Sequence, residues 1–480
     1  MDFNKANADR LLEQIRNRSN QVKEEKSFQY NEGQTKALEG LVKWALDKNP
    51  DDDRDYFATL IGYAGTGKTF ITLQLIKELK KNKIWGITVT APTHKAKKII
   101  AKVTEEDAAT IQGILGLRPD TDIDNFNPNS PEFTQQGEIL MRYARVLIID
   151  ESSMLNKELY KLIIECAIKY KTKVLFIGDA KQINPVNEAI SPVFNDVKNI
   201  YELTEIVRQK DTNPIAELLN VLRLDIDDST SSYMEYLQQN PSQYNDKGEG
   251  YEVITDHKEF LNRYLEHLAS EEYKEDQDYV KYTAWTNDSI NGFNKQVRLK
   301  VFKEDAINPL FEGEILMGYK MVNRNKDVII LNSEDYIIKS VKPITNVYSI
   351  RGYDVNIESE TGRQENIFIV GKEGYNQFIV EYNTKLSIAK AKKGHAWVEY
   401  YKFKNQNLLI ENLYDNQKKL ICNKDLDYAY GVSVHKCQGS TYNTIFVNGG
   451  NLNRNSNKIE KLRLWYVALS RCSKKAVILL

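Results

Sequence analysis

The apolar residues of this chain fall into short runs that alternate with segments of helical periodicity. The runs typical of strands buried on both faces are 56–61, 87–91, 145–149 and 173–177. Apolar residues recur at helical spacing in the segments 70–79, 95–101 and 156–167. This alternation predicts an α/β fold in which a parallel sheet is covered by helices on both faces.

A second α/β unit is predicted after residue 205, with strands at 280–284, 443–447 and 476–480. Residues 301–424 interrupt this unit with short runs of β texture, at 327–331, 336–341 and 377–382. We therefore expect a small inserted domain that resembles an SH3-like β-barrel.

The chain has 480 residues, enough for about three domains. The predicted divisions are an N-terminal helical extension at 1–27, a first core at 28–204 with a Pro-, Asp- and Asn-rich insertion at 117–139, a second core at 205–300 and 425–480, and an inserted domain at 301–424.

Charge and cysteine content narrow the class of protein. The formal net charge of −1 means that a polyanion would bind at a local basic patch. The four cysteines have neither metal-ligand spacing nor the density of a disulfide framework. No apolar run approaches the length of a membrane span, and the charged first residues lack the apolar core of a signal peptide. We expect a cytoplasmic protein of a bacterium or of a phage-infected host.

The segment 62–69 reads GYAGTGKT and matches the phosphate-binding pattern G-x-x-x-x-G-K-[ST]. It lies between a predicted strand and a predicted helix, where backbone N–H groups can wrap phosphates. Lys68 can reach the β- and γ-phosphate oxygens, and the Thr69 hydroxyl can hold Mg²⁺. The residues predicted to bind a nucleoside triphosphate here are Gly62, Ala64, Gly65, Thr66, Gly67, Lys68 and Thr69.

An acidic pair follows the predicted strand 145–149. The Asp150 carboxylate can hold Mg²⁺ through water, and Glu151 can orient and deprotonate the attacking water. The same pair could instead begin a helix as a cap, and both roles can hold at once.

Three more side chains are candidates for phosphoryl transfer. Gln182 follows the strand 173–177 and could reach the γ-phosphate or the attacking water. Arg208 and Arg471 could stabilise the charge of the transition state, although each, taken singly, could be a surface ion-pair partner.

The order of these segments resembles superfamily 1 helicases of the 5′→3′ class, RecD-like proteins and in particular the phage Dda-type helicases. The resemblance is carried by the segments 32–35, 62–69, 90–98, 150–151, 178–182, 203–209, 432–441 and 466–471. It implies two RecA-like cores, with ATP and Mg²⁺ between them and single-stranded DNA running across both. Gln34 would then read adenine, Gly439 would border the nucleotide, and Arg208 and Arg471 would reach ATP from the second core. Cys437 and Ser470 depart from the residues that are commoner in the family at these positions.

Basic and aromatic residues outline a DNA track. The segment 93–98 places Thr, His and three Lys at a predicted strand end, where they can contact phosphates. Trp285 offers a flat face for an unpaired base, worth about 1–3 kcal/mol, although it could also be a core residue. His435 could donate to a phosphate or be structural. The residues predicted to contact DNA are Pro92, Thr93, His94, Lys97, Lys98, Phe133, Trp285, Thr286, Asn287, His435 and Thr441.

Separating a duplex requires an obstacle where the strands part. The insertion 117–139 carries Phe126 and Phe133, and an aromatic ring on a loop tip can stack on the last base pair. In Dda-type relatives this position is a β-hairpin pin, and the spacing before the segment 150–151 favours Phe133 over Phe126. The alternative is that Phe133 folds back onto the first core. A second aromatic platform is conceivable at Trp397, Tyr400, Tyr401 and Phe403.

Together these features predict a monomeric, ATP- and Mg²⁺-dependent DNA helicase that moves on single-stranded DNA and opens forked duplexes. The resemblance alone implies that it moves 5′→3′. Single-strand-binding or replication proteins are possible partners. A translocase that displaces bound proteins and an ATP-gated DNA-binding module remain open. A small-molecule kinase fits poorly, because it does not account for Arg208 and Arg471. Replication, recombination and repair all use such motors.

Overall fold

The computed structural model describes residues 30–47, 50–91, 100–101, 104, 108–119, 133–135, 137–185, 188, 190–205, 213–303, 309–324 and 327–480. Within these ranges, no helix combines the length and the apolar character needed to cross a bilayer. The predicted extension at 1–27 lies outside the described residues, and the predicted domain limits stay a prediction.

The elements of the first α/β unit are α1 (Glu32–Leu46), β1 (Phe57–Gly62), α2 (Lys68–Lys81), β2 (Ile87–Ala91), β3 (Ala108–Thr110), α3 (Ile111–Ile114), β4 (Leu117–Pro119), β5 (Phe133–Gln135), β6 (Val146–Ile149), α4 (Lys157–Tyr170), β7 (Lys173–Gly178) and β8 (Asn199–Leu203). Six of these strands form a parallel sheet in the order β3-β2-β6-β7-β1-β8. Leu60 and Ile177 pack with α1 and α2, whereas Phe57 and Phe176 pack with α4. The strands therefore bury both faces, which confirms the predicted α/β sheet.

The insertion before β6 has a hairpin stem outside this sheet. Strands β4 and β5 pair antiparallel, with Pro119 opposite Phe133. Residues 120–132 lie outside the described residues, as do the side chains of Phe126 and Phe133.

The chain then forms the first part of the second unit. Its elements are α5 (Ile215–Asp228), α6 (Ser232–Gln239), β9 (Ser242–Tyr244), β10 (Gly250–Ile254), α7 (His257–Leu268), α8 (Glu271–Glu275), β11 (Val280–Ala284) and α9 (Asn287–Phe302). The helix α9 leads directly into the inserted region.

The inserted region combines strands with two long helices. Its elements are β12 (Ile315–Gly318), β13 (Val322–Arg324), β14 (Asp327–Ile330), β15 (Asp335–Thr345), β16 (Arg351–Ser359), β17 (Gln364–Val370), α10 (Tyr375–Lys392), α11 (His395–Gln406), β18 (Leu413–Tyr414), β19 (Leu420–Cys422) and β20 (Leu426–Tyr428). Five strands form an antiparallel sheet in the order β17-β16-β15-β12-β20. The β texture is confirmed, but an SH3-like barrel is not.

Two predictions for this region were wrong. The run 377–382, predicted as a strand, belongs to the helix α10, because Phe378, Tyr382 and Ala389 are buried at helical spacing. The aromatic platform does not form either. Trp397 and Phe403 on α11 are buried in a cluster with Phe378 instead of offering faces to a ligand.

The second unit is completed by the C-terminal part of the chain. Its remaining elements are β21 (Gly431–Ser433), β22 (Tyr442–Asn448), α12 (Gly449–Leu452), α13 (Lys458–Ser470) and β23 (Cys472–Leu479). The sheet order is β21-β11-β22-β23-β10-β9, and only the edge pair β9–β10 is antiparallel among these strands. The two described sheets thus give the predicted architecture of two α/β cores.

Buried ion pairs join the inserted region to the second unit. Lys281 on β11 contacts Asp335 on β15 at 3.1 Å. Arg298 on α9 contacts Glu314 at 2.6 Å, and the Tyr430 hydroxyl donates to the same carboxylate at 3.0 Å. Burial raises the pKa of Glu314 even though Arg298 opposes that shift. Because a buried charge is costly without its partner, these pairs fix the inserted region to the second unit.

Candidate functional site

The loop at residues 62–69 has the backbone of an anion-binding nest. Gly65 and Gly67 have φ angles of 85° and 88°, in the left-handed region that favours glycine. Helix α2 begins at Lys68, and no side chain of its N-cap residue accepts from its first backbone N–H groups. These N–H groups can therefore donate to an anion bound in the loop. The Lys68 ammonium donates to the carbonyls of Gly62 at 2.6 Å and Tyr63 at 3.1 Å. The positively charged Lys68 ammonium therefore lies in the loop that the sequence predicts to bind phosphates.

Gln34 is locked against this loop. Its backbone N–H and side-chain oxygen form a capping box with Asn31, at 2.7 and 3.3 Å. Its side-chain amide is buried and donates to the Thr66 carbonyl at 3.1 Å. A Cβ at position 67 would lie 2.8 Å from this amide nitrogen, so Gly67 also permits the close approach. The structure brings Gln34 to the predicted nucleotide site.

The acidic pair lies at the same edge of the sheet. Strand β6 is separated from β1 only by β7, so Asp150 and the loop at 62–69 follow neighbouring carboxyl ends of parallel strands. Burial, and then the charge of Glu151, raise the pKa of Asp150 to about 6. Glu151 itself has a φ of 49°, a left-handed conformation that is strained for a residue with a Cβ. Asp150 is half-buried, and a cation would favour its ionised carboxylate, so it is a suitable ligand for a metal ion.

Glu151 meets two side chains from other parts of the chain. Gln182 is buried, and with its amide oriented to match its neighbours it donates to Glu151 at 3.1 Å and accepts from Arg471 at 3.2 Å. The Arg471 guanidinium lies 3.8 Å from the Glu151 carboxylate. Three residues predicted to act on ATP are thus in one cluster, and Arg471 reaches it from the second unit.

Several residues at this interface were missed by the sequence analysis. Tyr466 and Arg463 on α13 contact the loop after β7, whose Asp179 is fully buried. Arg223 on α5 lies 4.7 Å from the centre of the Tyr63 ring, within reach of a cation–π contact. Asp179 and Tyr466 fall inside the family-like segments, but only the packing of the two units reveals their contacts.

The predicted DNA residues of the second unit share one edge of its sheet. Ala284 on β11 pairs with Ser433 on β21 in parallel register, so residues 285–287 and the turn after residue 433 emerge side by side. Trp285 is half-buried, packed on one side against the core. Thr286 caps α9, and Asn287 is exposed. This arrangement allows Trp285 both of its predicted roles.

Asn451 on α12 holds this turn in place and was not predicted. Its side-chain oxygen accepts from the backbone N–H groups of Trp285 at 2.9 Å and Thr286 at 3.1 Å. Its amide nitrogen donates to the Thr286 hydroxyl at 3.1 Å. Asn451 therefore fixes the backbone from which the Trp285 ring projects.

The turn after β21 contains the other predicted contacts. His435 is half-buried, and burial lowers its pKa, so its imidazole is neutral at neutral pH and can donate without adding charge. Thr441 is exposed, while Gly439 has a left-handed φ of 75°. Burial lowers the pKa of the adjacent Lys436 to about 8.

Some predicted residues lie outside the described part of the chain. These are Pro92, Thr93, His94, Lys97, Lys98 and Arg208, together with the side chain of Phe133. Their assignments stay predictions.

The fold and the site together define a P-loop nucleotide-binding protein with two α/β cores. A family model described as an AAA domain matches residues 29–240. A second model, described as a UvrD-like helicase C-terminal domain, matches residues 428–479. The two matches cover the nucleotide-binding loop and the segment that supplies Arg471.

Known proteins extend this match along the chain. The ATP-dependent DNA helicase dda of Enterobacteria phage T4 is 29% identical over 352 residues, which are 68% of this chain and 73% of that protein. The RecBCD enzyme subunit RecD of Buchnera aphidicola is 24% identical over 455 residues, 87% of this chain and 69% of that protein. Over most of its length the chain is therefore similar to helicases of the Dda and RecD type.

A solved structure supports the fold. The crystal structure of Pif1 helicase from Bacteroides in complex with ADP-AlF3 and ssDNA aligns with a TM-score of 0.50 at 17% identity. The alignment covers 94% of this chain and 92% of that chain. At this level of identity the likeness shows the arrangement of the elements.

Proposed function

We propose that this protein is an ATP-dependent DNA helicase that moves 5′→3′ along single-stranded DNA and separates duplexes. It acts in the cytoplasm as a monomer on single-stranded and forked DNA. The DNA substrate is supported by the relatives named as DNA helicases, dda of phage T4 and RecD2 of Deinococcus radiodurans among them. The polarity rests on the resemblance of the motif order to the 5′→3′ class. The contacts of the chain's own residues support the use of ATP.

The cluster of Glu151, Gln182 and Arg471 carries the proposal. Glu151 and Gln182 belong to the first unit, and Arg471 belongs to the second. An arginine supplied from a second unit can stabilise the charge that develops on the γ-phosphate. Hydrolysis would then require the two units to be close together, which is the condition for coupling ATP turnover to movement.

Different residues of the site would bind the phosphates, the adenine base and Mg²⁺. Lys68 and the N–H groups of the loop at 62–69 would hold the phosphates, while Gln34 would recognise adenine. Thr69 and Asp150 would hold Mg²⁺, which supplies charge neutralisation at the phosphates. In the described residues no group of three or more His, Cys, Asp or Glu side chains is placed to hold a metal ion. A cation would therefore depend on the nucleotide for most of its ligands.

DNA would cross the carboxyl ends of the strands in both units. In the second unit, Trp285 would stack on a base and Asn287, His435 and Thr441 would contact the strand. In the first unit, residues 92–98 would contact phosphates. Closure of the units on ATP and their release after hydrolysis would alternate the grip on the strand and produce a step.

The decisive experiment compares ATP turnover with and without single-stranded DNA. We expect a large stimulation by the strand, and Glu151→Gln should bind ATP yet lose turnover by about 10²- to 10⁴-fold. A duplex with a 5′ single-stranded tail should be unwound, and one with only a 3′ tail should not.

The other outcomes separate the alternatives. Turnover that ignores DNA would favour an ATP-gated binding module. Stimulated turnover without strand separation, combined with displacement of a bound protein, would identify a translocase. Unwinding from the 3′ tail would reverse the proposed polarity.

A further inference from the structure

Helix α13 and the residue that caps its C-terminus contact the nucleotide site at three points. Arg463, Tyr466 and Arg471 are spaced by three and five residues, and all three reach the first unit. Arg471 is accounted for by the proposed hydrolysis of ATP. Arg463 and Tyr466 have no assigned role.

The Tyr466 hydroxyl bridges two loops of the first unit. It donates to the Asp179 carboxylate at 2.7 Å and accepts from the Ala64 N–H at 3.3 Å. Ala64 belongs to the phosphate-binding loop, and Asp179 begins the turn that leads to Gln182. A tyrosine hydroxyl can donate once and accept as well, so this single group meets both loops simultaneously.

The turn between Asp179 and Gln182 depends on this contact. The second carboxylate oxygen of Asp179 accepts from the Lys181 N–H at 2.9 Å. Arg463 donates to the carbonyls of Ala180 at 2.6 Å and Gln182 at 2.5 Å. The turn that carries Gln182 is therefore held from its own side by Asp179 and from the second unit by α13.

Burial keeps the Tyr466 hydroxyl as the donor in its hydrogen bond to Asp179. Tyr466 is 1% exposed and Asp179 is fully buried. Burial, and then the charge of Asp179, raise the pKa of Tyr466 well above its usual value, so the hydroxyl stays protonated and remains a donor. A buried carboxylate that loses a donor is left undersolvated, which makes the bond costly to break.

We propose that Tyr466 is a positioning residue for ATP hydrolysis, which ties the phosphate-binding loop and the Gln182 turn to the second unit. The inference rests on the proposed function, because it concerns the same ATP site. When the backbone at Ala64 shifts with the nucleotide, the hydroxyl passes that shift to Asp179 and so to Gln182. Closure of the two units then sets Gln182 against Glu151.

The test is Tyr466→Phe, which removes the hydroxyl and keeps the ring. The matched control is Tyr233→Phe, because Tyr233 is also buried, lies in the same core cluster and donates at 3.0 Å to Asn453 within the second unit. We expect Tyr466→Phe to lower the DNA-stimulated kcat about tenfold, which is the scale of one hydrogen bond. The KM for ATP and the affinity for single-stranded DNA should stay near those of the control.

A second variant separates positioning from packing. Asp179→Ala removes the acceptor of the Tyr466 hydroxyl and also that of the Lys181 N–H. It should therefore lower kcat at least as much as Tyr466→Phe, and the double variant should be no worse than Asp179→Ala, because the Tyr466 bond is already lost there. If Tyr466→Phe does not fold, Asp179→Ala decides by the same measurement, a loss of kcat with an unchanged KM for ATP.

The results distinguish the two proposals. Wild-type protein without DNA-stimulated turnover would overturn the proposed function itself. The role of Tyr466 would be overturned if DNA stimulates turnover but Tyr466→Phe and Tyr233→Phe have the same kcat. It would also be overturned if the losses of kcat from the changes at Tyr466 and Asp179 multiply in the double variant. Either result would leave the helicase assignment intact.

Discussion

The Arg471 guanidinium lies 3.8 Å from the Glu151 carboxylate, although the two residues belong to different α/β units. Gln182 joins them by contacting both. The distance is longer than that of a close ion pair, and it leaves Arg471 free to act on phosphate charge instead of neutralising Glu151 completely. The cluster is thus placed to sense whether the two units are closed.

Replacing Arg471 should therefore affect turnover far more than binding. We expect Arg471→Ala to lower kcat by on the order of 10³-fold or more, since it would remove charge stabilisation in the transition state. The KM for ATP should change by only a few fold. Arg454→Ala is the control, because Arg454 is exposed in the loop before α13. Equal turnover in the two variants would remove Arg471 from the mechanism.

Gln34 should control the choice of nucleotide base. Gln34→Ala should weaken the preference for ATP over GTP and lower stability by about 1 kcal/mol, because it also breaks the capping box. Asn31→Ala breaks the same box and keeps the Gln34 amide, so it should lose stability and keep the preference. Steady-state kinetics with both nucleotides and thermal melting measure the two effects. A preference that survives in Gln34→Ala would place base recognition elsewhere.

Asp150 should make Mg²⁺ binding depend on pH. Burial and Glu151 raise its pKa to about 6, so below that pH the metal-free protein holds an extra proton. Because Mg²⁺ favours the ionised carboxylate, its apparent affinity in the presence of ADP should fall as the pH drops through about 6.

Calorimetry in buffers of different ionisation enthalpy measures the proton released on binding. Asp150→Asn should abolish the release, and a release that persists in this variant would assign the proton to another group. A raised folded-state pKa has an effect on stability as well. Without metal, stability should fall as the pH rises from about 4 to about 6, because the folded state retains the proton longer than the unfolded chain.

Trp285 should contribute to DNA binding more than to folding. Trp285→Ala should weaken single-strand affinity by about 1–3 kcal/mol and leave the KM for ATP nearly unchanged. Trp85→Ala is a suitable control, since Trp85 is 68% exposed and precedes β2. It therefore lies at the amino ends of the parallel strands, opposite the carboxyl ends where the DNA track is proposed. Fluorescence anisotropy and thermal melting separate binding from stability. A lower melting temperature with unchanged affinity would identify Trp285 as a core residue.

Phe133 should couple translocation to strand separation. If its ring stacks at the fork, Phe133→Ala should keep DNA-stimulated turnover and lose most unwinding per ATP hydrolysed. Phe126→Ala, in the same insertion, should behave like the wild type. An unwinding yield unchanged in Phe133→Ala would place the splitting of the duplex elsewhere.

The sequence predicted the parts of the molecule that depend on local pattern. Continuous apolar runs indicate buried strands, and the loop at 62–69 is recognisable because its glycines and Lys68 act within eight residues. The helix α10 was mistaken for a strand because a six-residue window does not separate the two periods when only Phe378 and Tyr382 mark the buried face.

Contacts between distant parts of the chain leave no local pattern in the sequence. Tyr466 and Asp179 are 287 positions apart, and their bond depends on how the two units meet. Asn451 escaped notice for the same reason, since it supports Trp285 from a helix 166 positions away. Neither residue type in isolation indicates its partner.

The buried ion pairs between the second unit and its insertion have a consequence for recombination between related genes. The carboxylates Asp335 and Glu314 enter with the inserted region, while Lys281 and Arg298 stay with the second unit. A crossover that replaced residues 301–424 with a segment lacking both carboxylates would leave a buried charge unpaired at each site, at about 3–5 kcal/mol apiece. Two such losses approach the whole stability of a typical domain. The strand and the helix that precede the insertion are therefore matched in charge to this particular insertion.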